Sequence, residues 1–219
     1  MMNLKKVLIF FGIVLLISAC GNSSNSKKSN IEEISHVAKN IELNDSVEDG
    51  VSTKEIDIVV KSESSNQKVV EAVIPEETVF ENEHGEPIDT VPVIHITQKE
   101  VLEKDVKESK FSIRNRSKVE IKIEDYKGKR VIPSKPLKVT LKAPKEAKAG
   151  DKVRVEIPDG AVIEDKDNNL KEKLIVAVVS SDGYIHVKIF PEVFKKVTVV
   201  VIIVEKIVEQ IITGGAGGN

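Results

Sequence analysis

The chain has 219 residues, of which 33 are Lys or Arg and 35 are Asp or Glu, for a formal net charge of −2. A balance this close gives no electrostatic case for nucleic acid or an anionic lipid surface as partner. A single cysteine excludes internal disulfides, and with no Trp and only 4% aromatics the stacking platforms of sugar-handling sites are missing.

Residues 1–19 have three parts: Lys5 and Lys6, an apolar run from Val7 to Ile17 broken only by Gly12, and the small pair Ser18-Ala19. This is the layout of a secretory signal peptide. At about 1.5 Å of helix per residue, the run covers roughly half of a ~30 Å hydrocarbon core. Ile17-Ser18-Ala19-Cys20 resembles the lipobox of bacterial lipoproteins. The resemblance implies cleavage between Ala19 and Cys20, a diacylglyceryl group on the Cys20 thiol, and acylation (palmitate-type chains) of the new amino group. Each buried CH₂ contributes about 0.8 kcal/mol, so two or more chains anchor stably. Membrane lipid is then one partner, and the expected location is the exported side of a membrane in the bacterial cell envelope.

Residues 20–54 read as the lipidated cysteine and a flexible tether, Gly21 to Asn30 being Gly, Asn, Ser and Lys. Within it Ile31, Ile34, Val37 and Ile41 recur at near-helical spacing, and Asn30 with Glu33 resembles a capping box, which predicts a short helix. From Glu55 the period becomes two, as in Ile56, Ile58 and Val60 or Val70, Ala72 and Ile74. Similar segments follow to Val204, separated by the turn signals EHGEP, DYKGK, PSKP, KAGD, EDKDNN and SSDG. This predicts an all-β chain of one or two Ig-like β-sandwich modules, at 55–133 and 134–212, with a tail at 213–219. Two further short helices are allowed: one over 99–110, capped by Thr97 and Glu100, and one around Ile207 to Ile212. Val197 to Val204 is expected to be a strand buried on both faces.

VIPEETVFENEHGEPI, from Val73, aligns without gaps with EIPDGAVIEDKDNNLK, from Glu156. The first of these, together with PLKVTLKAPKEAKAGDKVRVEIPDG, resembles the ZU5-like β-sandwich modules of bacterial envelope proteins. That resemblance covers roughly residues 55 to 200 and implies a fold and a setting. The self-cleaving His-Phe-Ser of some such proteins has no counterpart in Ile189-Phe190-Pro191, so self-cleavage is not implied.

No Gly-x-Ser-x-Gly, Walker loop or strand-linked Gly-x-Gly-x-x-Gly is present. His36, His84, His95 and His186 lie too far apart in sequence for ligand-pair spacing. Asp165, Asp167 and Asn169, with Glu164, Asn168 and a more distant Asp159, supply oxygen atoms that suit Ca²⁺. Leu170 and Val176 stand where an EF-hand needs glycine and glutamate, so a solvated hairpin turn is the preferred reading. The expectation is a non-enzymatic, lipid-anchored envelope protein, structural or protein-interacting, without a cofactor and without nucleic acid as partner. The alternative is a lipid-anchored binding protein for a small ligand or metal ion.

Overall fold

The structure is a computed structural model that describes residues 30–107, 110–164 and 175–211. The signal segment, Ala19, Cys20, the candidate ligands Asp165, Asp167 and Asn169, and the tail at 213–219 lie outside the described residues. In chain order the strands are β1 (Asn30–Glu42), β2 (Val47–Glu48), β3 (Val51–Ser52), β4 (Ile56–Lys61), β5 (Lys68–Ile74), β6 (Phe80–Glu81), β7 (Val93–Lys107) and β8 (Lys110–Glu124). They continue as β9 (Ile132–Pro133), β10 (Leu137–Lys142), β11 (Lys152–Glu156), β12 (Ala161–Ile163), β13 (Ile175–Val178), β14 (Tyr184–Ile189) and, after helix α1 (Pro191–Lys196), β15 (Val200–Ile211).

Two sheets make an all-β, sandwich-like body. The larger has the order β1-β7-β8-β15-β11-β13 and the smaller β12-β14-β10-β5-β4. All of their strand pairings are antiparallel. Their facing sides supply one continuous apolar core, in which Ile94, Ile96, Ile121 and Ile202 of the larger sheet join Ile74, Leu141, Ile185 and Ile189 of the smaller. The alternation that predicts these strands is the physical reason for them, because residues two apart share a face and bury together. Strands from residues 55–133 and from 134–212 pair with each other in both sheets, as β10 does with β5 and β15 with β8. The two stretches therefore share one core.

The predicted turns hold their shape through side-chain oxygens that mimic a backbone acceptor. Asn82 Oδ1 accepts from the amides of His84 and Glu86, and Asp125 Oδ1 from those of Lys127 and Lys129. Ser180 Oγ likewise accepts from the Tyr184 amide.

Three segments expected to tolerate helix are strands. Residues 30–42 form β1, paired with β7, with an irregular register between Glu33 and Ser35. Val37 and Ile41 are four apart, which puts them on one face of a helix and equally on one face of a strand. Pairing with β7 decides between the two. Residues 99–107 lie within β7, flanked by β1 and β8, and residues 207–211 within β15. Among the described residues the helix that does form is α1, started by Pro191 at a position where a missing N–H costs nothing. The run from Val197 is also not buried on both faces. Its strand begins at Val200, and Val200, Ile202 and Val204 are buried while Val201 and Ile203 are half-exposed.

The aligned pair of Ile-Pro segments shares a local bend rather than a place in the fold. Glu77 and Gly160 occupy equivalent positions of the alignment, and both have positive φ, 57° and 97°. The strands before them diverge, however, since β5 belongs to the smaller sheet and β11 to the larger. In the first copy Thr78 is fully buried, its Oγ1 donating to the Pro75 carbonyl at 2.6 Å. The second copy has Ala161 at that position.

Candidate functional site

The two sheets differ in reach. Strands of the smaller sheet are short, β5 being its longest with 7 residues, whereas β7 and β8 have 15 each. Burial marks where cover ends on the inward face of the larger sheet. Along β7, Ile94, Ile96 and Gln98 are buried, but Glu100 and Leu102 are only half-buried. On β8 the boundary falls between Asn115, which is buried, and Ile113, which is not; on β15 it falls after Val204. Past that line β7 continues to Lys107, β8 starts at Lys110, β15 continues to Ile211 and β1 starts at Asn30. At about 3.3 Å per residue, this arm reaches roughly 20 Å beyond the sandwich, with β1 alongside it as far as Lys104.

The arm also offers backbone. Strand β1 is an edge of the larger sheet. The register of β11 on β15 covers Ile203 to Glu205, so among the described residues β15 pairs on one side alone from Lys206 onward. Edges of this length can template the addition of another strand.

Register brings charges together on the outer face. Arg154, Glu205 and Arg116 lie directly opposite one another on β11, β15 and β8, followed by Val101 on β7. Arg116 Nε donates to Glu205 Oε2 at 2.5 Å, with Glu103 at 3.9 Å and Arg154 reaching the same Glu205 at 4.0 Å. The hydrogen bond from Arg116 to the Glu205 carboxylate pushes the guanidinium pKa further up, against a smaller opposing effect of burial. Val176, half exposed at 50%, and Ile207 border the same ladder. Arginine, of which this ladder has two, is enriched at protein interfaces.

The histidines serve local structure. His36 lies in β1 rather than a helix, His84 in the Asn82–Glu86 turn, and His95 and His186 in strands as expected. His95 Nδ1 is 2.8 Å from Asn40 Oδ1. Its Nε2 is 2.8 Å from Glu124 Oε1, close enough for charge pairing but off line for a hydrogen bond. His186 Nδ1 meets Thr140 Oγ1 at 3.3 Å, while Asp182 Oδ2 stands 3.8 Å from Nε2, beyond hydrogen-bond reach, and both side chains are open to solvent. Among the described residues no three His, Cys, Asp or Glu side chains converge to hold a metal, and no helix is long and apolar enough to cross a membrane.

Sequence reasoning overlooked the root of the arm. Gln98 occupies the inward phase of the alternation Ile94, Ile96, Gln98, and it is only 4% exposed. A polar side chain in an apolar phase is the signal that could have found it. No family model, no curated protein and no solved structure matches the chain.

Proposed function

We propose that this is a lipid-anchored protein of the bacterial envelope, held in the membrane through acyl chains on Cys20, whose sandwich body is a non-enzymatic protein-interaction module. The observation that carries the interaction reading is the arm. Its strands run past the smaller sheet with an open edge at β1 and, among the described residues, a second along β15 from Lys206, and long open edges invite pairing with another chain. The anchor rests on Ile17-Ser18-Ala19-Cys20. The ZU5-like resemblance of residues 55 to 200 suits the same setting.

One experiment in the producing cell tests both parts. A photo-crosslinking residue at Val101 or Ile207 should give a discrete heavier species containing a second protein, while the same residue at Tyr126, in the exposed turn away from the arm, should not. Cys20→Ala should remove the acyl mass, release the protein from the membrane fraction and abolish that adduct. A membrane-bound, unmodified Cys20→Ala protein would refute the anchor. Equal labelling from all three positions would refute the arm.

A second reading is a lipid-anchored binding protein for a small ligand. The observation that favours it is a polar cleft at the root of the arm, where the buried Gln98 keeps an amide oxygen without a partner.

A further inference from the structure

The cleft encloses about 290 Å³ between the loop joining β4 to β5, the end of β10 with the segment after it, and the inward face of the arm. That is about the size of a single sugar ring, at the lower bound for small-molecule sites. One wall is fixed in place from two sides. Asn115 Nδ2 donates to the Lys145 carbonyl at 2.8 Å, and the Lys145 amide donates to Glu100 Oε1 at 2.6 Å. The floor is Gln98, whose Nε2 donates to Ser117 Oγ at 3.2 Å while Oε1 is buried with no hydrogen-bond partner. A buried acceptor left unpaired is costly, so a group that donates to it is favoured.

The remaining lining defines that group. Lys142 Nζ donates to Gln67 Oε1 at 2.8 Å, a neutral partner, while the Glu100 carboxylate in the same lining has one oxygen taken by the Lys145 amide. Ser62, Ser64 and Ser65 line the opposite wall, the Ser62 and Ser64 hydroxyls 3.1 Å apart and Ser65 Oγ accepting the Gln67 amide at 3.4 Å, and Val69 and Ala143 add a small apolar surface. Among the described residues no aromatic ring lines the cleft, so affinity there comes from hydrogen bonds and charge rather than stacking.

Building on the small-ligand reading, we propose that this cleft binds a small polyhydroxylated carboxylate of the sugar-acid class. The carboxylate sits against Lys142 and the serine hydroxyls, the Gln98 side chain turns so that one ligand hydroxyl donates to its Oε1, and the ring carbons rest on Val69 and Ala143. The site does not depend on a protein partner for the arm.

The test is side-chain amide NMR of the full chain in detergent micelles, titrated with glucuronate, with glucose as the uncharged control and acetate as the charge control. Glucuronate should move the Gln98 amide resonances in the millimolar range, and glucose should bind at least about tenfold more weakly, the loss of one charge-assisted hydrogen bond. Lys142→Gln, a half-exposed position, should bring glucuronate down to the glucose level with an unchanged melting midpoint. Gln98→Leu, followed through the Gln67 side-chain amide that also lines the cleft, should abolish the glucuronate-dependent shift without lowering that midpoint, and if it fails to fold, Lys142→Gln still decides. Glucose or acetate acting as strongly as glucuronate would overturn the sugar-acid assignment while leaving a small-ligand site. Silence of the Gln98 amide towards all three would overturn both.

Discussion

Gly50 shows how much one side-chain hydrogen controls. Its φ is +73°, and its carbonyl accepts the amide of Phe80, a ring with no exposed surface, at 2.8 Å. An added Cβ would overlap the carbonyl oxygen of Ile88, whose amide in turn donates to Phe80 O. Backbone overlap cannot be relieved by rotating a side chain. Gly50→Ala should therefore cost at least the ~1–2 kcal/mol of a left-handed backbone with a Cβ, and urea unfolding should show a lower midpoint at an unchanged slope. An unchanged midpoint would mean that the loop carrying Gly50 moves freely away from Ile88.

Between elements, the turn from β10 to β11 is tied to β15 by Asp151. Its carboxylate accepts the Lys148 amide at 2.9 Å and pairs with Lys206 at 3.1 Å. The backbone hydrogen bond first, and Lys206 second, hold the Asp151 pKa below its ordinary value. A depressed carboxylate stabilises the fold above its unfolded pKa, roughly 3.9, and that contribution is lost as pH falls through the lower folded value. NMR titration should place Asp151 below a free aspartate, and Lys206→Met should move it part of the way back while flattening the loss of stability on acidification. An unmoved titration in Lys206→Met would assign the whole shift to the Lys148 amide. The strands on either side of this turn were legible in the sequence, because each alternates over a covered face and ends in a turn with its own acceptor. The arm was not. KEVLEKDVK, at residues 99–107, is rich in good helix formers, and it is a strand because β8 pairs with all of it and β1 with it as far as Lys104, an effect with no local signature. The cleft was hidden for a related reason, since its lining comes from β1, β7, β8, the β4–β5 loop and the end of β10. Cys20 is the reverse case, a motif readable only in sequence order.

For the molecule as a whole, β15 is the strand on which both halves depend. It lies between β8 and β11 and puts Val200, Ile202 and Val204 into the shared core. Burying each is worth about 1.5–3 kcal/mol, a sum comparable with the ~5–15 kcal/mol net stability of a typical domain. Truncation after Lys196 would also unpair the facing edges of β8 and β11. The truncated protein should lose its cooperative melting transition and aggregate, as read by circular dichroism and light scattering. A monomer with native dichroism and a sharp transition would show that the larger sheet closes without its central strand.

The position of β15 late in the chain also sets an order of events. Val200 lies opposite Ile121 and Ile211 opposite Lys110, so its pairing joins segments far apart along the polypeptide. Closures of such span are slow. A polypeptide emerging from a ribosome with its N-terminus leading holds β8 and β11 apart until residues 200–211 arrive. During that interval the rows of Val119 and Ile121 and of Val153 and Val155 have no strand between them. Nascent chains in this condition are what holding chaperones capture.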